Sequence, residues 1–254
     1  LIRLRRYEEA RNAFASALEL DPGNPVVWRG KYLSTYALGL FEEALADCDR
    51  VLQLDPGYTE AAIARAVILS ILGQYEEALQ AFQEARRLSE APSLDFELEH
   101  AVTLMCAGRW DEGRQGMDSA LGDAMRQGAG RGERPDFARN MLARTRDALV
   151  WERHIRVWIE VFEKHGALHV LGGAIVLSIR HFDIPQVTLE VARSWRDTWR
   201  KLGDACDALR LPLRLLDAAV AYKEKPGKKP LLGLAAEERQ ILEDLIRVPE
   251  AHRV

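Results

Sequence analysis

The chain has 254 residues, of which 48% are hydrophobic and 29% charged, and a formal net charge of −4. This apolar content can fill one or two cores, and it excludes a wholly disordered chain, which has too little to offset its ordering entropy. Three cysteines exclude a disulfide framework, and no apolar run reaches the ~20 residues of a membrane span; the longest, 167–179, contains His169 and two glycines.

The start, Leu1-Ile2-Arg3-Leu4-Arg5-Arg6, is no signal peptide and runs directly into a helical pattern, predicted over 3–20. The absence of an initiator Met suggests a piece of a longer protein. A reduced, cytoplasmic setting is expected. Charge is unevenly spread: residues 1–125 hold 12 Lys+Arg against 21 Asp+Glu, and residues 126–254 hold 23 against 18. The halves are expected to differ in task.

Self-similarity organises the first half. Tyr7-Glu8-Glu9-Ala10, Phe41-Glu42-Glu43-Ala44-Leu45 and Tyr75-Glu76-Glu77-Ala78-Leu79 recur every 34 residues. Leu18-Glu19-Leu20-Asp21-Pro22-Gly23 closes the first block and Leu52-Gln53-Leu54-Asp55-Pro56-Gly57 the second, while the third weakens to Arg87-Leu88-Ser89-Glu90-Ala91-Pro92. A degenerate fourth copy starts at Gly108-Arg109-Trp110-Asp111-Glu112-Gly113, shifted by one residue. Within 41–54 the apolar residues Phe41, Ala44, Leu45, Cys48, Val51 and Leu52 follow helical spacing. Asp-Pro pairs stop one helix and admit the next, and Gly39 and Gly73 suit tight turns with positive φ. Helix pairs are predicted at 25–38/41–54, 59–72/75–88 and 93–107/110–124.

These blocks resemble the tetratricopeptide repeat (TPR) family over residues 1–125. The resemblance implies an all-α fold: a right-handed solenoid of helical hairpins over 1–126, its first repeat lacking the leading helix, its fourth degenerate. Tyr32 stands where the family has a glycine. The resemblance also implies that each leading helix lines a concave groove. It places Val26, Arg29, Leu33 and Tyr36 there, then Glu60, Ile63, Val67 and Ser70, then Leu94, Glu97, Ala101 and Leu104. Members that hold acidic chaperone tails carry Lys, Arg and Asn at such positions. Here only Arg29 is cationic, and Glu60 and Glu97 would repel a carboxylate. A largely apolar groove suits an amphipathic helix or an extended segment, from a partner or from the chain's own C-terminal half.

Gln127–Arg134 is glycine-rich and is taken as a linker before a C-terminal helical domain over 135–254. Pro135 suits a helix start. One long or interrupted helix is predicted over 136–165, on the stripe Met141, Leu142, Ala148, Leu149, Trp151, Ile155, Trp158, Ile159 and Phe162, followed by 167–182, a helix opened by Pro185 to 202, 204–222 with a break near Pro212, and 234–247. Lys223–Pro230 reads as an exposed basic loop. No 34-residue period survives here, so this half is a helical bundle or a set of diverged helical repeats.

No motif for catalysis emerges, and no cofactor or metal is expected. Cys48, Cys106 and Cys206 lack ligand spacing, and His165 and His169 lack a third ligand. The glycine runs match no phosphate loop. The tryptophans Trp151, Trp158, Trp195 and Trp199 fit core packing, with an aromatic contact for a partner as the alternative. Arginines are dense from 126 to 156 and again at Arg193, Arg196 and Arg200; Arg139, Arg146, Arg153, Arg193, Arg196 and Arg200 form a candidate basic surface for nucleic acid or an acidic protein. The expected function is a non-enzymatic protein-interaction module, an adaptor or scaffold with a protein or peptide partner. Nucleic-acid or acidic-partner binding, and a regulatory subunit of an enzyme complex, are the alternatives.

Overall fold

The computed structural model describes residues 6–89, 91–128, 137–183, 187–204, 206–227 and 229–246. Among them the chain is all α-helical, with no strand, and it is built as a solenoid of helical hairpins. The helices are α1 (Tyr7–Leu20), α2 (Pro25–Ala37), α3 (Phe41–Leu54), α4 (Thr59–Ile71), α5 (Tyr75–Leu88), α6 (Leu94–Cys106), α7 (Trp110–Arg126), α8 (Phe137–Arg144), α9 (Ala148–Lys164), α10 (Leu168–Ser178), α11 (Leu189–Gly203), α12 (Arg210–Glu224), α13 (Lys229–Leu232) and α14 (Ala236–Leu245). No helix among the described residues is long and apolar enough to cross a membrane.

Local chemistry sets the boundaries. Asn24 caps α2 by accepting from the backbone of Val26 (3.0 Å) and Val27 (3.3 Å), with Pro25 in the first turn, where its missing N–H is harmless. Asp21 and Asp55 accept from the backbone of Gly23 and Gly57, which folds each Asp-Pro-Gly into a compact turn. Gly39, Gly73 and Gly108 take φ of 77°, 80° and 84° at the three hairpin turns. In each, the glycine N–H bonds to the carbonyl three residues back and the next N–H bonds five back, satisfying the last carbonyls of the leading helix.

The same turn recurs in the C-terminal half. Gly166 has φ 64°, its N–H reaches Glu163 O, and the N–H of Ala167 reaches Phe162 O at 2.8 Å. It joins α9 to α10. Helix α11 packs on α9 and α12 on α10, so α9/α10 and α11/α12 stack as two further helical pairs. Of the alternatives for this half, the pairing is that of helical repeats. Pro212 does not break α12, because it occupies the first turn. The 136–165 region is interrupted: Asp147 caps α9 through Leu149 N (2.9 Å), while Thr145 Oγ1 accepts from Asp147 N (3.1 Å). Both ends of the predicted basic loop Lys223–Pro230 are helical: Lys223 and Glu224 end α12, and Lys229 and Pro230 begin the short α13. Helix α11 starts at Leu189, capped by Thr188. Pro135, Pro185 and residues 129–134 of the predicted linker lie outside the described residues.

Two apolar clusters fill the molecule. One spans Tyr32 to Phe96 and belongs to the first hairpins; Tyr32 lies within it beside Cys48. The other begins at Leu98 and runs to Ile246, joining α6 and α7 to all the C-terminal helices. Its centre is an aromatic ladder: Trp151 meets Trp195 (5.0 Å), Trp195 meets Trp199 (5.8 Å), Trp199 meets Trp158 (6.0 Å) and Trp158 meets Phe137 (4.8 Å). All five rings are fully buried, so these tryptophans pack the core.

Small residues permit close helix crossings. Ala44 and Ala78 are fully buried, and at the equivalent place Gly113 lies where a Cβ would come within 2.6 Å of Ala101 O and of Met105 Cγ. Gly113→Ala is therefore expected to destabilise the protein by about 1–3 kcal/mol through overpacking, although alanine is the better helix former. A denaturant midpoint that stayed unchanged or rose would contradict so close a crossing of α6 and α7.

Candidate functional site

Helices α2, α4 and α6 are the leading members of their hairpins and share one face. Helix α8 lies against it, in contact with α4 and α6. Tyr36 of α2 reaches across to α8: its hydroxyl donates to Asn140 Oδ1, and the Arg139 guanidinium stands 5.6 Å from its ring centre. Asn140 Nδ2 in turn donates to Glu99 Oε1 of α6. Arg144 closes the network, with Nη2 on Glu99 Oε2 and Nε on Ser70 Oγ of α4 at 2.9 Å. Ser70 Oγ also lies 2.9 Å from Thr103 Oγ1. The Arg144 and Glu99 side chains are 0% and 1% exposed. Burial of this kind is tolerable only because both charges are paired and hydrogen-bonded. One guanidinium nitrogen, Nη1, is buried without a hydrogen-bond partner among the described residues.

The predicted groove residues divide into three groups. Tyr36 and Ser70 meet α8 directly, and Val67 is buried beneath this region in the first core cluster. Val26, Arg29, Glu60 and Ile63 lie in the N-terminal halves of α2 and α4, and Leu33 lies past the middle of α2, one turn before Tyr36. Val26 is 63% exposed, Leu33 and Ile63 are half-buried, and Arg29 Nε stands 2.5 Å from Glu60 Oε2. The third group, Leu94, Glu97, Ala101 and Leu104, is turned away from α8. Glu97 pairs with Arg86 of α5 (2.5 and 2.7 Å), and Ala101 faces Gly113 and Gly116 of α7. Leu94, Glu97 and Leu104 line a separate groove of ≈ 770 Å³ between α5, α6 and α7.

The cause is a slip in period. The turn glycines stand at 39, 73 and 108, spacings of 34 and then 35, so one extra residue precedes α6 and rotates it by one position, or about 100°. The residues of α6 presented to α8 and the C-terminal core are Leu98, Glu99, Val102 and Met105. Phasing α6 from Gly108 rather than from a constant 34-residue step gives Asp95, Leu98, Val102 and Met105; it does not give Glu99, which falls at the place of Gly30 and Ala64.

The candidate basic surface is largely engaged with local groups. Arg193 pairs with Glu224, Arg196 with Asp197 (2.7 Å) and Asp217 (4.0 Å), and Arg200 with Asp217 (3.5 Å). Arg153 lies 3.6 Å over the Trp110 ring, Arg139 faces Tyr36, and Arg146 is exposed near the start of α9. His165 is paired with Asp118 (2.8 Å) across α7 and α9, where Lys164 and then His165 hold the Asp118 carboxyl below the usual range.

Half-buried Cys106 and buried His154 form a polar pair, Sγ to Nε2 at 3.6 Å. His154 Nδ1 is 2.9 Å from Val150 O and so carries the proton there, leaving Nε2 as the acceptor for the thiol. Burial holds the His154 imidazole down at about 4, with Arg144 and Arg153 adding repulsion against the Val150 hydrogen bond; burial also pushes the Cys106 thiol up. Both groups are thus neutral and structural at pH 7. The pH dependence of stability follows from this. The unfolded imidazole takes up a proton near pH 6.5 and the folded one does not until about 4, so the unfolded state binds more protons between the two. The stability due to this histidine is complete above pH 6.5 and falls as pH drops towards 4, by about 3 kcal/mol in total. His154→Phe should flatten a plot of unfolding free energy against pH across that window; an unaltered slope would exclude His154 as its source.

The hairpins, their glycine turns and the face they build define a helical-repeat scaffold. The tetratricopeptide repeat profile matches residues 1–59 and 33–93, and this part of the chain belongs to the tetratricopeptide repeat family. The chain is also similar to the crystal structure of YrrB, "a TPR protein with an unusual peptide-binding site", with 14% sequence identity, 88% of this chain and 98% of that chain covered, and a TM-score of 0.43. A comparison with curated proteins finds no match.

Proposed function

We propose that the protein is a non-enzymatic interaction scaffold that holds a helical or extended partner segment on the face of α2, α4 and α6. The observation that supports this reading is α8: the face already seats a helix, through side chains from all three leading helices. Helix α8 and the C-terminal helices cover the part near Tyr36, Ser70 and Glu99. The part near Val26, Arg29, Leu33, Glu60 and Ile63 stays open, an apolar strip with one cation and one anion. Such a strip suits a short apolar anchor with a polar flank. The domain division proposed with it is a repeat scaffold over 1–126 and a helical half from 135 that rests on it.

The test is affinity capture with the intact chain against the double variant Val26→Asp, Arg29→Glu. Both side chains are accessible, so the fold should survive, as a circular-dichroism melt would verify. Proteins retained by the wild-type chain should be lost from the variant. Equal retention by both would remove the open strip from the reading.

A further inference from the structure

Resting on that reading of the leading-helix face, we propose that α8 is its resident ligand and that the seat it fills accepts, from a partner, a helix bearing a carboxamide and a guanidinium one turn apart. The chemistry of the seat is demanding. Glu99 presents a carboxylate with almost no exposure, so an apolar helix there would leave an uncompensated buried charge. Glu99 Oε2 and Ser70 Oγ engage two different nitrogens of the cation, Nη2 and Nε. A guanidinium supplies both in a fixed fork, whereas an ammonium is a single point. The group at position 140 accepts from the Tyr36 hydroxyl with one atom and donates to Glu99 Oε1 with another. A carboxamide does both while uncharged, with its oxygen and its nitrogen side by side on a short side chain. Residues 140 and 144 are four apart on a helix and hence on one side of it.

The resident helix also fits imperfectly, since Arg144 Nη1 has no partner among the described residues. Its other face carries Phe137, Met141 and Leu142, fully buried in the second apolar cluster, which also contains Leu98, Val102 and Met105 of α6, so a competing helix has to displace α8 from within that cluster. A competing helix binds the wild-type chain only through molecules in which α8 has left the seat, with an affinity reduced by that fraction.

The probe is a labelled synthetic peptide with the sequence of Phe137–Asp147, titrated into the full chain. Arg144→Glu sets a carboxylate against Glu99 and expels α8, leaving its bundle face intact; this variant should bind the peptide about tenfold or more tighter than wild type. A peptide with glutamate at the position of Arg144 should not bind it. The double variant Glu99→Arg, Arg144→Glu restores a pair of opposite sign, and only the glutamate peptide should compete there. A folded Arg144→Glu chain that ignores the peptide, or that binds both peptides alike, would overturn the proposal. Should Arg144→Glu not fold, hydrogen exchange of the wild-type chain decides: excess peptide should speed exchange at the amides of α8, and unchanged exchange there overturns the proposal. Continued capture through Val26 and Arg29 alongside such a failure would leave the scaffold reading standing.

Discussion

Arg144→Ala is expected to lower the unfolding free energy by about 3–5 kcal/mol, because it leaves the Glu99 carboxylate buried without its cation. Arg144 is far in sequence from Ser70 and Glu99 and holds both. Its loss should also loosen Asn140, whose donor hydrogen bond ends on the same carboxylate. Replacing the pair together should cost less than replacing arginine alone: in Glu99→Leu, Arg144→Met neither charge remains to be desolvated. Urea or guanidinium titration of the three proteins gives the comparison. A single substitution that cost under about 1 kcal/mol would place the guanidinium in water, as for a surface pair.

Trp158→Ala is expected to cost about 3–5 kcal/mol, through lost apolar burial and the cavity left between α8, α9 and α11. The Trp158 indole N–H has no hydrogen-bond partner among the described residues, so Trp158→Phe loses only volume. Trp195 differs: its N–H donates to Ser178 Oγ at 3.1 Å, and Trp195→Phe removes that bond as well. The phenylalanine variant at 195 should accordingly be the less stable of the two, by about 1 kcal/mol. The reverse order in thermal or denaturant unfolding would contradict this arrangement of the ladder.

Much of the first half can be read in the amino-acid sequence because its rules are local. Repeated Glu-Glu-Ala steps, Asp-Pro exits and turn glycines each fix a boundary within a few residues, and α1 to α7 follow them. Residues 136–165 were harder, since a continuous apolar stripe passes through Thr145–Asp147, and the stop there depends on side chains that cap rather than on a proline or glycine. The site shows the same limit. Tyr36 and Ser70 follow from repeat position alone. Leu98, Val102 and Met105 require noticing that the period lengthens to 35 before Gly108, and Glu99 stands beside them at the place of Gly30 and Ala64, which repeat position does not mark. Asn140 and Arg144 carry no such mark: they are one polar pair in an arginine-rich stretch, and only tertiary packing turns them towards a carboxylate 41 and 45 residues away, respectively. The excess of acid before residue 126 and of base after it points the right way, since the buried contact between the halves is an acid from one and a base from the other.

The claim that unites the fold and the site is that the C-terminal half closes over the leading helices through a buried ion pair. A double-mutant cycle on Glu99→Gln and Arg144→Gln in the full chain measures it most directly. The two losses should fall short of additivity by about 2–3 kcal/mol, the coupling of charges in direct contact. Additive losses, with a coupling near zero, would mean that the two side chains never meet and that α8 does not rest on this face.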